Sequence, residues 1–485
     1  MPPPKQPPRK GYQKSSETYS TSDSIHLGNM CALAAEGNLE AIVRDYLADQ
    51  SLVIPDKDGN IPLHHAAKFD QRSAARGLIA LSMPQQTWMV KNHAGQTPLD
   101  LASARIKKDM NLLNLNTLEQ DNHHTGVNHR FVTERMANPK PNHKVLVSLD
   151  GGGIKAILVA GTILAIERAM GDGENIMSRT HWIGGTSCGG IISLLFGCGY
   201  TCDQVRRLFL REKLEVFCGN NGHYLPKHAS RGIEKTLRKY LGKHTRLADI
   251  QSHKIMVTSA KIRDVPASLV LFRTYAPDIP SKEFEKYGYL DPKEILVWKA
   301  ARSTSAAPVY FDSFHDHADG AIVCNNPCLN LITDFHRLKK IEEFRKIANH
   351  DEIGVILSLG SGHEPTTPLG GIDPIKFKYA LGRLWEGGKK LFTLFMNQAT
   401  SSHAVLDGQA REWAHSLGIP YFRFSPKLTK AIELDNTNME DIFDFMFENE
   451  VYLTTQVKHE LEALARLLKT MPRNEKLKQT KDIIR

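Results

Sequence analysis

Two short apolar runs in this chain each stop at a glycine-rich turn that opens a helical stretch. The first, Val145–Leu149, is bounded by Asp150 and three glycines and reads as a buried strand. Ile154–Met170 then repeats apolar residues three and four apart, the spacing of a helix. The second run ends at Gly184 and passes through Gly185-Thr186-Ser187-Cys188-Gly189 into the helical stretch Gly190–Phe196. Lys254–Ala260, Ser268–Arg273 and Ile353–Leu359 read as further strands. Strands alternating with helices predict an α/β domain with a largely parallel sheet from residue 143 onward.

Upstream, the pattern is repetitive. IPLHHAA begins at Ile61 and TPLDLA at Thr97, an offset of 97 − 61 = 36 residues. That is close to the ankyrin period of roughly 33, with its turn and helix start. A weaker copy, CALAAEGNLEAIV, begins at Cys31, and Asp56–Asn60 and Asn92–Gln96 supply glycine-bearing turns. Residues 28–115 are therefore expected to form a short α-helical stack of about three ankyrin repeats. Repeats bury their faces only against neighbours, so the terminal ones are expected to lean on the next domain. Around the stack lie a basic, Pro/Ser-rich disordered tail (1–27), a polar linker with one helix (116–142), the α/β domain (143–472) and a basic C-terminal tail (473–485), of which Lys476–Arg485 is expected to fray.

Composition bounds the function. Hydrophobic residues make up 41% of the 485, enough for a sizeable core. No run of about 18 apolar residues exists, so no membrane-spanning helix is expected. The basic N-terminus lacks the apolar stretch of a secretory signal. The charge balance, 62 − 53 = +9, suits anionic surfaces such as phospholipid headgroups or RNA, and selects neither. Seven cysteines, with no C-x-x-C pair, suggest free thiols in a reducing compartment. Cys198 and Cys202, like Cys324 and Cys328, would share a face if each pair lay on one helix. Ligand partners at metal-site spacing are not evident, so no metal is expected.

Three segments carry chemistry. Gly185–Gly189 fits G-x-S-x-G, a strand-to-helix elbow that exposes a nucleophilic serine. Asp150-Gly151-Gly152-Gly153 can converge backbone N–H groups at a helix start, as an oxyanion hole or a phosphate cradle. A dinucleotide site would need an acidic residue at the end of the next strand, and that strand runs into Ser187 instead. Asp319-Gly320-Ala321 is either a turn or the base that a serine requires. The base could also be a histidine relayed by an acid, with His336, His363 and His403 in permissible chain order.

Together and in this order, these segments resemble the patatin-like phospholipases. Trp298–Phe311, Ile356–Gly362 and Leu417–Pro426 are similar to the ankyrin-bearing group VI calcium-independent phospholipases A2. The resemblance implies a patatin-like three-layer domain with a mainly parallel central sheet. It makes Ser187 the nucleophile and Asp319 the base of a dyad without histidine. Gly151, Gly152 and Gly153 would form the oxyanion hole, and Gly185 and Gly189 the elbow. It implies no cofactor and no metal. The implied reaction releases a fatty acid and a lysophospholipid from a glycerophospholipid. Lysophospholipase, acyl-CoA thioesterase or transacylase activity, or a catalytically silent ankyrin scaffold, are the alternatives.

The implied partner is a phospholipid membrane surface, reached from the cytoplasm by peripheral association. Protein partners at the ankyrin repeats, a homodimer and calmodulin are further candidates; nucleic acid is not. Lys376–Met396, with its lysines and aromatics, reads as an interfacial helix or as two core helices. Val457, Leu461, Leu464, Leu468 and Met471 form one stripe, expected to pack on the catalytic domain. Lys155-Ala156 and Cys188 depart from the family pattern, at the end of the glycine loop and after the serine.

Overall fold

The computed structural model describes residues 29–82, 86–115, 123–217, 228–365 and 404–479. Lys376–Met396 and His403 therefore lie outside the described residues, as do residues 1–27.

Among the described residues the sheet has seven strands: β1 (His143–Leu149), β2 (Thr180–Thr186), β3 (Lys254–Lys261), β4 (Ser268–Arg273), β5 (His317–Asp319), β6 (Glu352–Leu359) and β7 (Tyr421–Phe424). They lie in the order β4-β3-β2-β1-β6-β7, with β5 paired to β3 off this path. The pairs β1–β2, β1–β6, β2–β3 and β6–β7 are parallel, whereas β4 and β5 run antiparallel to β3. The fold is thus α/β with a mixed, mostly parallel sheet. β2 runs on to Thr186, past the expected end at Gly184. β5 and β7, three and four residues long, were not foreseen as strands.

Alternation along β1 divides the core. Val145, Val147 and Leu149 face one apolar cluster with helix residues such as Val159, Ile163 and Leu464, and Leu146 faces another with Leu331, Phe335 and Ala410. Both faces of the sheet are covered, so the strands can be apolar throughout. The first layer includes Ala156–Met170, Cys188–Gly197 and Lys458–Thr470; the second includes Cys328–Phe344 and Ala404–Ser416. The predicted C-terminal stripe packs on the domain: Leu461, Leu464, Leu468 and Met471 are buried.

The N-terminal region forms three helix pairs: α1 (Met30–Glu36) with α2 (Leu39–Leu47), α3 (Pro62–Lys68) with α4 (Arg72–Leu81), and α5 (Pro98–Leu101) with α6 (Ala104–Leu112). Asn38 caps α2 by accepting the Ala41 N–H at 3.2 Å, and Thr97 and Asp100 form a capping box on α5. The first pair leans on the next domain as expected, with Arg206 donating to the Tyr46 hydroxyl at 2.8 Å and Arg211 to the Leu47 carbonyl at 3.1 Å, and the middle pair adds a further junction. The backbone of α4 at Gly77 lies against the Phe443 ring, where any Cβ would overlap it. Arg76 pairs with Asp444 at 2.8 Å. Arg206, buried, donates to the last carbonyls of α4, Ala80 and Leu81, where the helix dipole favours a cation. The pairs and the α/β domain share one apolar cluster through Ile154, Ile157, Phe443 and Phe447.

Two expected boundaries shift. The linker helix, His123–Ala137, buries Phe131 and Val132, and its Asn128 accepts the Tyr421 N–H at 2.8 Å, so it belongs to the α/β domain. The C-terminal tail stays ordered past Lys476, where fraying was expected. Asn474 is buried and donates to Thr180 and Ser252 carbonyls, and a 3₁₀ helix follows over Glu475–Gln479. The paired cysteines share no helix face, because Cys198 and Cys324 end or lie at the end of one helix and Cys202 and Cys328 begin the next. All six described cysteines are free and buried.

Candidate active site

The sheet register brings the three chemistry-bearing segments together. On β3, Thr258 pairs with Thr186, the last residue of β2, and the next position, Ser259, pairs with Asp319 of β5. β2 therefore ends where β5 enters, on the same side of β3. Ser187 turns out of that lane just as Asp319 comes into it. The result is a hydrogen bond from the Ser187 hydroxyl to Asp319 Oδ2 of 2.6 Å.

Ser187 has φ 54° and ψ −125°, a conformation that costs a non-glycine residue roughly 1–3 kcal/mol. Its surroundings hold it there. Its N–H donates to Thr304 Oγ1 at 2.8 Å. Thr186 Oγ1 donates to the Cys324 carbonyl at 2.8 Å. Gly185 and Gly189 allow the tight approach: a Cβ on Gly185 would overlap the Gly189 carbonyl, and one on Gly189 the Leu149 carbonyl.

Asp319 is 3% exposed, and burial raises its carboxyl from the ordinary 3.8 to about 6. The Ser187 hydroxyl and the Ala321 N–H, which donates to Oδ1 at 2.8 Å, act against that rise. A carboxylate with this pKa is a competent base near neutral pH. Among the described residues, no histidine bonds to Ser187 or Asp319. His336 lies beside Arg337 and Phe344 in a separate surface cleft, and the backbone of His363 pairs with Pro426 and Leu428.

The glycine loop stands opposite the elbow. Asp150 N–H donates to Leu359 and Ile154 N–H to the Leu434 carbonyl, at 3.0 and 2.9 Å. Ser361 Oγ donates to the Gly151 carbonyl at 2.7 Å. Gly153 has φ 58°. Asp150, fully buried, forms a two-pronged ion pair with Arg423 of β7, at 2.6 and 3.1 Å. The backbone of Gly152, Gly153 and Gly189 acts against the rise in the pKa of Cys188, the residue after the nucleophile. Gly152 and Gly153 line one cleft with Ser187, a place that suits an oxyanion better than a remote phosphate. Burial pushes the Cys188 thiol up to about 12, aided by the charge of Asp319, so it is an inert thiol.

An apolar cleft of about 860 Å³, including space open to solvent, begins at Ser187 and Gly153. Ile191, Leu195, Leu208, Phe217, Leu237 and Phe311 line it. A smaller cleft joins Ser187, Asp319, Ile322 and Asn325. Thr304, Ser361 and Arg423 lay within segments already singled out in the sequence, but nothing in their type or spacing gave them a role. Leu434 had no sequence signal.

A family model described as "Patatin-like phospholipase" matches residues 147–332, the span that holds the loop, the elbow and Asp319. A mouse (Mus musculus) protein, "85/88 kDa calcium-independent phospholipase A2", is 30% identical over 348 residues, 70% of this chain and 42% of the relative. This chain belongs to the patatin-like phospholipase family. Within that family it is also similar to the "Intracellular phospholipase A2" of Caenorhabditis elegans, 30% identical over 63% of this chain and 28% of the relative. "Phospholipase A I" of Arabidopsis thaliana is 24% identical over 62% of this chain and 26% of the relative. This patatin-like chain thus spans about two fifths of the length of the mouse relative.

Proposed function

We propose that the chain is a calcium-independent phospholipase A2, a serine acyl hydrolase acting through Ser187 and Asp319. The observation that carries this reading is the 2.6 Å Ser187–Asp319 hydrogen bond at the mouth of an apolar cleft. A dyad gives acyl transfer, and the cleft gives an acyl chain a dry place to lie.

In the proposed reaction the ester acyl chain enters the cleft and its carbonyl carbon meets Ser187 Oγ. As the C–O bond forms, the hydroxyl proton passes to Asp319 Oδ2. The carbonyl oxygen becomes an oxyanion held by the N–H groups of Gly152 and Gly153, with Gly151 shaping the loop. One such donor is worth about 3 kcal/mol in transition-state stabilisation. The tetrahedral intermediate collapses, and the lysophospholipid oxygen leaves with the proton from Asp319. Water then attacks the acyl-enzyme and gives its proton to Asp319. Fatty acid departs as that proton returns to Ser187. The oxyanion is neutralised by N–H donors, which is why calcium is not called for.

The helix pairs are proposed to be ankyrin repeats, on the strength of their 36-residue offset and their T-P-L-type helix starts. Among the described residues, no helix is long and apolar enough to cross a membrane, which fits a peripheral encounter with lipid. The test is fatty-acid release from phosphatidylcholine vesicles in excess EDTA. Activity that depends on added calcium contradicts the mechanism. Lysophospholipids and acyl-CoA present the same acyl chain to the same cleft and belong in the same assay as competing substrates.

A further inference from the structure

β3 is parallel to β2, so both reach the same end of the sheet, and Ser187 follows β2 directly. β3 continues beyond the level of Thr186, from Ser259 to Lys261, about 7 Å at the usual rise per residue. It then turns through residues 262–267 into β4. Ile262, Arg263, Asp264, Val265 and Pro266 are all exposed. Val265 is 99% exposed and Ile262 41%. Val323, 41% exposed, stands one residue after Ile322, which lines the cleft beside Ser187 and Asp319. Its short helix, Ala321–Cys324, packs on β3 and β4. The hairpin and the rim of the cleft are therefore one neighbourhood.

A valine with 99% of its surface in water adds no apolar burial to the fold. Single exposed apolar residues are common. Three of them at one tip, Ile262, Val265 and Pro266, on the two strands that carry the helix lining the smaller cleft beside Ser187 and Asp319, form a different arrangement. Lys261, the last residue of β3, and Arg263 of the turn flank Ile262, and Asp264 is the acid within the turn. Long basic side chains can reach headgroup phosphates while apolar neighbours enter the acyl boundary.

We infer that the β3–β4 hairpin tip is a membrane-docking prong. Ile262, Val265 and Pro266 enter the surface of a phospholipid bilayer, and Lys261 and Arg263 contact its phosphates. Docking there turns the mouth beside Ser187 toward the lipid. This rests on the proposed phospholipid substrate, and it is separable from it by experiment.

Flotation of Ser187→Ala protein with phosphatidylcholine vesicles, with and without phosphatidylglycerol, measures docking without turnover. Adding Ile262→Glu and Val265→Glu should lower vesicle binding about tenfold or more, given the apolar area lost from the membrane. Val265→Trp should raise it, with soluble-ester hydrolysis as the control for correct folding. Lys261→Glu with Arg263→Glu should abolish the increment due to phosphatidylglycerol. In the Ser187 background, hydrolysis of a soluble short-chain p-nitrophenyl ester should be unchanged by the tip substitutions. Equal binding by the parent, Glu and Trp proteins overturns the prong. Hydrolysis of the soluble ester without any release from phospholipid instead overturns the phospholipase reading, and leaves the flotation result to stand alone.

Discussion

Thr186 and Asp319 take successive places beside β3, paired with Thr258 and Ser259. One strand ends and the other begins in a single lane, and the nucleophile is the residue at the break. The dyad therefore depends on backbone pairing more than on a flexible side-chain reach. Asp319→Asn keeps the shape of the residue and removes its ability to accept the serine proton. It should lower kcat by about 10²–10⁴ with little change in KM, by analogy with the usual contribution of a general base. Steady-state kinetics on a soluble ester checks this; a kcat within threefold or so of wild type would assign the base elsewhere.

The pH profile follows from the same carboxyl. Burial raises Asp319 to about 6, and only the carboxylate can take the Ser187 proton. Activity should rise as pH increases through about 6 and level off above it. A pH–rate profile of kcat/KM between acid and neutral pH reads this directly. A flat profile through that range contradicts the role given to Asp319.

The raised pKa also has a cost in stability. The folded carboxyl holds its proton up to about 6 and the unfolded one only to 3.8. The folded state therefore binds more protons between these values, and stability falls as pH rises through the window. Above it the penalty is constant, on the order of 3 kcal/mol for a shift of about two units. Asp319→Asn should accordingly raise Tm at pH 8 and lose that advantage below about pH 4. Thermal melts at the two pH values test the sign.

Gly189→Ala places a Cβ against the Leu149 carbonyl, inside the junction of elbow and glycine loop. Backbone cannot yield there cheaply, so overpacking of about 1–3 kcal/mol is expected, with activity lost more steeply than stability. Gly95→Ala is the contrast, since nothing lies within 4 Å of its added Cβ, although its φ of 76° strains any side chain. Melting temperature and probe labelling, measured on both, should separate a damaged site from a merely strained turn.

Arg423→Met leaves the Asp150 carboxylate buried without its two-pronged partner. Breaking a buried pair on one side typically costs about 3–5 kcal/mol. Since Asp150 leads directly into Gly151, the oxyanion loop should loosen as well. Urea denaturation should show the destabilisation, and activity at low temperature should remain depressed even where the protein is folded.

Much of this was legible in the sequence. β1, β2, β3 and β6 were visible because buried parallel strands are short apolar runs bounded by breakers; β4, although antiparallel and only partly buried, shows a similar apolar run at Ser268–Arg273. The Gly185–Gly189 elbow and the Asp150–Gly153 loop were visible because close backbone approach demands glycine. β5 was not, since His317–Asp319 is three residues long and its pairing with β3 is set by distant chain. β7 escaped because Tyr421–Phe424 carries Arg423 in the middle, whose burial makes sense only once Asp150 is opposite. Thr304 and Leu434 meet the site through one hydroxyl and one carbonyl, and single long-range contacts leave no periodic trace. The middle helix pair docks through Gly77 and Phe443, a fit of shapes that repeat counting does not reveal.

Fatty-acid release from phosphatidylcholine vesicles in excess EDTA, compared between wild type, Ser187→Ala and Asp319→Ala, tests the dyad most directly. Wild type should release fatty acid and lysophospholipid in equal amounts, and both variants should fall to background. A fluorophosphonate probe should label Ser187 alone. Release that persists in Ser187→Ala, or labelling at another serine, contradicts the assignment.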